Sequence, residues 1–121
     1  MEQANERTIT IAQIETAQGL EHAEEILSVD GIDAAIIGPA DLAISLGHPD
    51  QVNAEDELAG IRKVSELCQK YDKGFGIIGG NALLEQFADS LNLMVSAIEI
   101  HLWHESLGSY AKSYEKIRNS H

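Results

Sequence analysis

The chain has 121 residues, of which 44% are hydrophobic and 23% are charged. That length suits one compact domain with its own core and is too short for two. Twenty acidic residues against eight basic ones give a formal net charge of −12, and a surface of that sign repels phosphate backbones and anionic lipids. Nucleic acid and membranes are therefore excluded as expected partners, and a small anionic substrate would need a local cation.

The cysteine content and the N-terminal residues point to the cytoplasm as the expected location. Cys68 has no second cysteine with which to form an internal disulfide. It falls within a helical pattern, so we expect a buried structural thiol rather than a nucleophile. Residues 1–7 are polar and lack the apolar core of a signal peptide, and no stretch approaches the roughly 20 apolar residues of a membrane span.

Short apolar segments rich in β-branched residues alternate with amphipathic helical patterns along the chain. In chain order, the prediction is a strand over 8–14, a helix over 19–29, a strand over 32–37, a short helical turn over 40–46, a helix over 54–71, a strand over 74–78, a helix over 81–90 capped by Asn81, a strand over 93–100 and a helix over 106–118. Strand followed by helix, four times over, predicts an α/β fold with a parallel sheet and covering helices.

The glycines at positions 74, 76 and 79 have the spacing of a dinucleotide-binding loop. Gly74 and Gly76 lie within the predicted strand, however, rather than in a turn after it. Position 94, where an acid would be needed to hold a ribose, is a methionine. We expect these glycines instead to let a neighbouring chain segment come close.

Two histidines near the end of the last predicted strand have a spacing that also fits a metal site. His101 and His104 are three residues apart, with Glu99 and Glu105 beside them. In the predicted elements, His101 ends a strand and His104 lies in a loop or a first helical turn, so convergence of their side chains is not established. We favour a surface position for both.

Two acidic residues stand directly after apolar segments. Glu15 closes the run from Ile9 to Ile14, and Asp41 follows the run 36–39. Neighbouring parallel strands end on the same rim with axes about 5 Å apart, so two carboxylates placed there can share one divalent cation. The alternative is that both are ordinary helix-capping or loop acids, with Asp41 stabilising the start of its own short helix.

These two acids belong to an ordered set of short motifs: Gln13-Ile14-Glu15-Thr16, Gly19-Leu20-Glu21, Gly31-Ile32-Asp33, Ile37-Gly38-Pro39-Ala40-Asp41-Leu42 and Ser45-Leu46-Gly47. In this order and spacing, the set closely resembles the C-terminal half of the HpcH/HpaI aldolase family, the metal-dependent pyruvate aldolases related to citrate lyase β subunits. The resemblance is specific over residues 8–48, extends through the strand at Gly74 and weakens after Leu93.

The resemblance implies parallel βα units that form the second half, about four strands, of a TIM (β/α)8 barrel. It implies a carbon–carbon lyase that cleaves 4-hydroxy-2-keto acids to pyruvate and an aldehyde. Glu15 and Asp41 would bind Mg²⁺ or another divalent cation such as Mn²⁺ or Co²⁺, since hard oxygen ligands suit such ions. Gln13 would line the catalytic site, and Gly38, Ala40 and Asp41 would bind pyruvate or another 2-keto acid.

Several departures from the family leave the activity of the isolated chain open. A whole barrel needs about 250 residues, roughly twice this length. The family's proton-transfer histidine and keto-acid-binding arginine come from the N-terminal half, which nothing here matches. No basic patch suits coenzyme A, which disfavours thioester cleavage of the citrate lyase type. The chain is therefore expected to be either a lyase, active as part of an assembled barrel, or a non-catalytic family member that acts in assembly or metal binding.

An open four-stranded half exposes two sheet edges and an apolar inner face. A second copy that rebuilds a barrel-like core would cover both, so we expect a single half-barrel domain over 1–121 that forms a homo-oligomer. A natural truncation, a split-gene product and an excerpt from a longer protein are the alternatives.

Overall fold

The architecture is a four-stranded parallel sheet with helices in the connections. A computed structural model describes residues 8–51, 53–95 and 99–119. In chain order, the elements are β1 (Ile11–Ile14), α1 (Ala17–Glu21), α2 (Ala23–Leu27), β2 (Ala34–Ile37), α3 (Pro39–Ser45), α4 (Glu55–Lys70), β3 (Gly74–Ile78), α5 (Asn81–Gln86), β4 (Leu93–Val95) and α6 (Glu99–Asn119). The strands lie in the order β1-β2-β3-β4, and all neighbours are parallel. The predicted α/β arrangement is confirmed.

The two faces of the sheet have different surroundings, because successive side chains of a strand point to opposite sides. The strand residues that join the helices in the hydrophobic core are Ile14, Ala35, Ile37, Phe75 and Ile77. The intervening residues Gln13, Ile36 and Gly76 are aligned across β1, β2 and β3. Gln13 therefore belongs to the face opposite the core.

Helix α4 supplies much of the helical side of this core. Ile61, Val64 and Cys68 recur at helical spacing and are buried. Burial raises the pKa of the Cys68 thiol above its ordinary value, which disfavours the reactive thiolate at neutral pH. Cys68 is therefore a buried thiol, as predicted.

The glycines of β3 allow close packing of the strands, as the sequence predicted. A Cβ atom added to Gly76 would lie 2.9 Å from the backbone oxygen of Leu93 and 3.1 Å from its Cβ. A side chain at this position would therefore push β4 away from β3. Gly74 and Gly76 lie inside the strand rather than in a turn after it, so they do not form a dinucleotide-binding loop.

Several predicted boundaries are wrong. The helix predicted over 19–29 is two short helices, because His22 has φ −93° and ψ 12° and interrupts the helical backbone. The helix predicted over 81–90 has Gly80 rather than Asn81 as its N-cap residue. It ends at Gln86, with Phe87 as its C-cap residue. The Phe87 ring packs edge-on against Phe75 in the core, with 6.3 Å between the ring centroids. A tertiary contact thus accompanies the end of this helix.

The largest error concerns the C-terminal region. Of the strand predicted over 93–100, the structure describes Leu93–Val95 as strand and places residues 99 and 100 in a helix, while residues 96–98 lie outside the described residues. Helix α6 begins at Glu99 rather than Ser106. His101 and His104 therefore both lie on this helix, whereas the prediction placed His101 at a strand end and His104 in a loop or a first helical turn. His104 is exposed, as expected. A short apolar run fits a buried strand and a helix equally well, which explains the error.

Helix α6 exposes large apolar side chains to solvent. The exposed set comprises Leu102, Trp103, Leu107, Tyr110 and Ile117, with exposed fractions between 52% and 77%. Positions 103, 107, 110 and 117 share one face of the helix, and we call these four residues the apolar stripe. In the part of the chain that the structure describes, no helix combines the length and apolarity needed to cross a bilayer.

Candidate active site

Gln13 and Glu15 lie at the C-terminal end of β1 and interact through their side chains. Ile14 between them is 1% exposed and packs in the core, so strand alternation sends its two neighbours to the other side of the sheet. Gln13 Nε2 donates a 2.8 Å hydrogen bond to Glu15 Oε2. A carboxylate has about four acceptor positions, and this bond uses one of them. The amide thereby orients Glu15 and leaves it capacity for another ligand.

Gly38 brings the end of β2 against this pair. Ile14 is aligned with Ile37 across the parallel strands, and the Gly38 amide donates to the Ile14 carbonyl at 3.2 Å. A Cβ atom added to Gly38 would lie 3.2 Å from Gln13 Nε2 and 3.3 Å from Glu15 Oε2. The Glu15 carboxylate therefore lies beside the Gly38 backbone, at the rim where both strands end.

Helix α3 places Ala40 and Asp41 immediately after this contact. Pro39 is its first residue, and proline suits that position because its fixed φ is helical and the missing N–H has no intrahelical acceptor. Pro39 and Leu42 are buried, whereas Ala40 and Asp41 are exposed. The first-turn position of Asp41 is compatible both with ligand binding and with the simpler helix-stabilising role.

Within the described residues, no group of three or more histidine, cysteine, aspartate or glutamate side chains converges as metal ligands would. A cation site here would therefore combine the two predicted carboxylates with neutral oxygen ligands. The structure brings Gln13, Glu15 and Gly38 into contact, and it places Ala40 and Asp41 two and three residues beyond Gly38.

Two hydroxyl groups hold the segments that surround the site. Thr16 caps α1, since its Oγ1 accepts a 2.9 Å hydrogen bond from the Gly19 amide. Ser45 Oγ, at the end of α3, accepts a 2.9 Å bond from the Ala17 amide. The turn after β1 is thus tied to the helix after β2. Threonine before a helix is a recognisable N-cap signal. The sequence analysis names Ser45 as part of a motif but does not predict its bond to Ala17, because nothing local predicts a bond across 28 residues.

Comparison with known proteins identifies the family. The sequence pattern of the HpcH/HpaI aldolase/citrate lyase family matches residues 1–98. The chain belongs to this family. It is 43% identical over 81 residues to a hydroxypyruvate/pyruvate aldolase from Rhizorhabdus wittichii, covering 65% of the chain and 32% of that protein. It is also 30% identical over 125 aligned positions to a 2-keto-3-deoxy-L-rhamnonate aldolase from Salmonella schwarzengrund, covering 98% of the chain and 45% of that protein.

Solved structures of other proteins share the fold. The citrate synthase SbnG superposes with a TM-score of 0.83 at 26% identity, over 96% of this chain and 49% of that one. A citrate lyase beta subunit from M. tuberculosis, complexed with oxaloacetate and magnesium, superposes with a TM-score of 0.61 at 18% identity, over 76% of this chain and 48% of that one. The predicted membership of these βα units in a TIM-barrel fold is confirmed. The chain spans less than half the length of the relatives named here.

Proposed function

We propose that the chain carries the metal-binding part of a divalent-metal-dependent carbon–carbon lyase, which cleaves 4-hydroxy-2-keto acids to pyruvate and an aldehyde. The main support is the contact of Gln13, Glu15 and Gly38 at the end of two neighbouring parallel strands. The C-terminal rim of the strands is where (β/α)8 barrels carry their active sites. Because the chain spans less than half of its aldolase relatives, we propose the activity for an assembled barrel in the cytoplasm.

The residues at this rim fit a divalent cation such as Mg²⁺, Mn²⁺ or Co²⁺. Glu15 supplies a carboxylate that the Gln13 amide holds in place, and Asp41 supplies a second one from the exposed first turn of α3. Gly38 keeps the space beside Glu15 Oε2 free of a side chain. With two carboxylate ligands, a cation would keep coordination positions for water and for the two oxygens of a 2-keto acid.

In this proposal, the residues of the chain bind and orient, while the cation supplies electrostatic stabilisation. When bound, it withdraws electrons from the keto oxygen and so stabilises the negative charge that develops as the C3–C4 bond breaks. Glu15 and Asp41 hold the cation, and Gln13 orients Glu15. The amides of Ala40 and Asp41 have no intrahelical carbonyl to bind, so we assign them to the keto-acid carboxylate, with Gly38 shaping that cradle.

The proton transfers complete the reaction. The proton of the 4-hydroxyl passes to a base, the C3–C4 bond breaks to release the aldehyde, and C3 takes up a proton to give pyruvate. The resemblance assigns this base to a histidine of the N-terminal half of the family's barrel. An assay of the purified chain with Mn²⁺ and a 4-hydroxy-2-keto acid, in which lactate dehydrogenase detects pyruvate, tests whether the chain alone turns over.

A non-catalytic role in assembly or metal binding is the second candidate. It is favoured by the share of the relatives that the chain spans, 32% and 45%, because the resemblance places the proton-transfer histidine and the keto-acid-binding arginine in the N-terminal half of the family's barrel. Binding of Mn²⁺ without pyruvate release would support this role. Pyruvate release that requires Glu15 would support the lyase.

Replacing Asp41 by asparagine should weaken Mn²⁺ binding about tenfold or more, because the amide keeps the shape of the side chain but loses its charge. Isothermal titration calorimetry with Mn²⁺ measures the affinity. Asp50→Asn is the matched control, since it removes the same charge from an exposed loop residue. Equal affinity of the wild type and Asp41→Asn would remove Asp41 from the site.

We also propose that the chain forms a homo-oligomer. Ile11 on β1 and Leu93 on β4, the two outer strands, are 43% and 37% exposed, and the apolar stripe of α6 is exposed as well. Helix α6 has three basic and three acidic residues, whereas the whole chain has a formal charge of −12. This helix can therefore approach the acidic surface of a second copy with little repulsion.

Replacing Leu107 and Tyr110 together by glutamine should dissociate this oligomer, because both replacements remove apolar area from the stripe. Native mass spectrometry at micromolar concentration measures the oligomeric state. Lys112→Gln, an exposed change on the opposite side of α6, is the control and should leave the oligomer intact. A monomeric wild type, or an oligomer that survives the double substitution, would contradict this proposal.

A further inference from the structure

We propose that Gly38 is a positioning residue whose missing side chain sets where the Gln13–Glu15 pair lies. The inference rests on the proposed metal site at Glu15 and adds a role for the glycine that is separate from backbone contact with substrate. It predicts that one methyl group at position 38 impairs cation binding while the fold is kept.

The backbone conformation of Gly38 does not require glycine. Its φ of −102° and ψ of 90° lie in the extended region that any L-residue adopts. Gly47, just after α3, is different, because its φ of 87° lies in the left-handed region where a side chain is strained. Another property of position 38 must therefore explain the glycine.

The space beside Gly38 is the property that matters. A Cβ atom there would lie 3.2 Å from Gln13 Nε2 and 3.3 Å from both Cβ and Oε2 of Glu15. These separations are shorter than the roughly 3.5–4.0 Å at which non-bonded heavy atoms attract each other best. The two polar atoms are the partners of the 2.8 Å hydrogen bond that orients Glu15. A methyl group would therefore push directly on the bonded pair.

Hydrogen bonds fix both the amide and the carbonyl of Gly38, so a new side chain there would displace the neighbouring side chains rather than the backbone. Its amide donates to the Ile14 carbonyl at 3.2 Å, and its carbonyl accepts from the Leu42 amide at 3.0 Å. The next residue, Pro39, is buried at the start of α3. A side chain at position 38 thus displaces the Gln13 amide and the Glu15 carboxylate by a few tenths of an ångström rather than moving the strand.

A shift of that size matters for a cation and little for the fold. Ligand distances in metal sites are defined to about 0.2 Å, and loss of a partner that orients a ligand typically weakens affinity about 10- to 100-fold. We therefore expect Gly38→Ala to weaken Mn²⁺ binding by about 10- to 100-fold. The unfolding temperature of this variant should stay close to that of the wild type.

Gly80 provides a matched control. It too is the last residue before a helix that follows a strand, and its φ of −75° and ψ of 163° suit any L-residue. A Cβ atom added to Gly80 would meet nothing within 4 Å. Gly80→Ala should therefore leave both the Mn²⁺ affinity and the unfolding temperature unchanged.

The experiment combines Mn²⁺ calorimetry with thermal unfolding followed by circular dichroism, on the wild type, Gly38→Ala, Gly80→Ala and Glu15→Gln. Gln13→Ala alone and together with Gly38→Ala completes a double-mutant cycle. Because Gln13→Ala removes one of the three atoms that the new methyl group would crowd, the combined loss of affinity should be smaller than the product of the two single losses. A purely structural role of Gly38 would not produce this coupling.

The outcomes separate this inference from the proposed function. If Glu15→Gln binds Mn²⁺ like the wild type, the proposed metal site is wrong. If Glu15→Gln loses binding but Gly38→Ala does not, the site stands and the role of Gly38 is overturned. An unfolded Gly38→Ala protein would also overturn this role, because the glycine would then serve the fold. Losses of affinity that multiply independently in the double-mutant cycle would overturn it too, because Gly38 would then act independently of Gln13.

Discussion

Replacing Glu15 by glutamine is expected to abolish measurable Mn²⁺ binding and to lower pyruvate release by about 10³-fold or more, since stabilisation of developing charge by a cation contributes several kcal/mol. Glu15 accepts a hydrogen bond from Gln13, and its carboxylate lies beside the Gly38 backbone. Glutamine keeps the side-chain length but removes the charge and one acceptor oxygen. Calorimetry measures binding, and the coupled pyruvate assay measures the rate of the active assembly.

The matched control is Glu21→Gln, which makes the same chemical change at an exposed residue of α1. It should leave affinity and rate near those of the wild type. If Glu15→Gln keeps its affinity and its rate, Glu15 is the capping or loop acid of the simpler interpretation, and the lyase proposal loses its main support.

Replacing Ile77 by alanine should lower the free energy of unfolding by about 2–5 kcal/mol, the range for a large aliphatic residue removed from a packed core. Ile77 is fully buried in β3, where it is aligned with Ile37 of β2 and Met94 of β4. With a strand on each side, the surroundings have little freedom to collapse into the space left by the side chain. Urea unfolding followed by circular dichroism measures the change.

Ile44→Ala is the control for this effect, because it removes the same atoms from a side chain on α3 that is 58% exposed. Surface substitutions of this kind usually change the free energy of unfolding by no more than about 0.5 kcal/mol. If Ile77→Ala and Ile44→Ala lower the free energy of unfolding by similar amounts, burial on the helix-facing side of the sheet is not what stabilises the fold.

The sequence predicts the regular elements well where local signals agree. The strand predicted over 74–78 is found at Gly74–Ile78, and the helix predicted over 54–71 is found at Glu55–Lys70, because both have a clear hydrophobic period and clear ends. The segment 93–100 is a poorer case, since its short apolar run suits either a strand or a helix. There, β4 is described over Leu93–Val95, and Glu99 already belongs to α6.

The amino-acid sequence by itself determines the alternation of strands and helices, the family, and the positions of Glu15 and Asp41 just after two apolar segments. The tertiary structure alone decides that the hydrogen-bonded pair Gln13–Glu15 lies beside Gly38, which is 23 residues beyond Glu15 in the chain. The physical reason is strand register. The pairing of Ile14 with Ile37 arises from packing of the whole sheet against its helices, and no local pattern of residues encodes it.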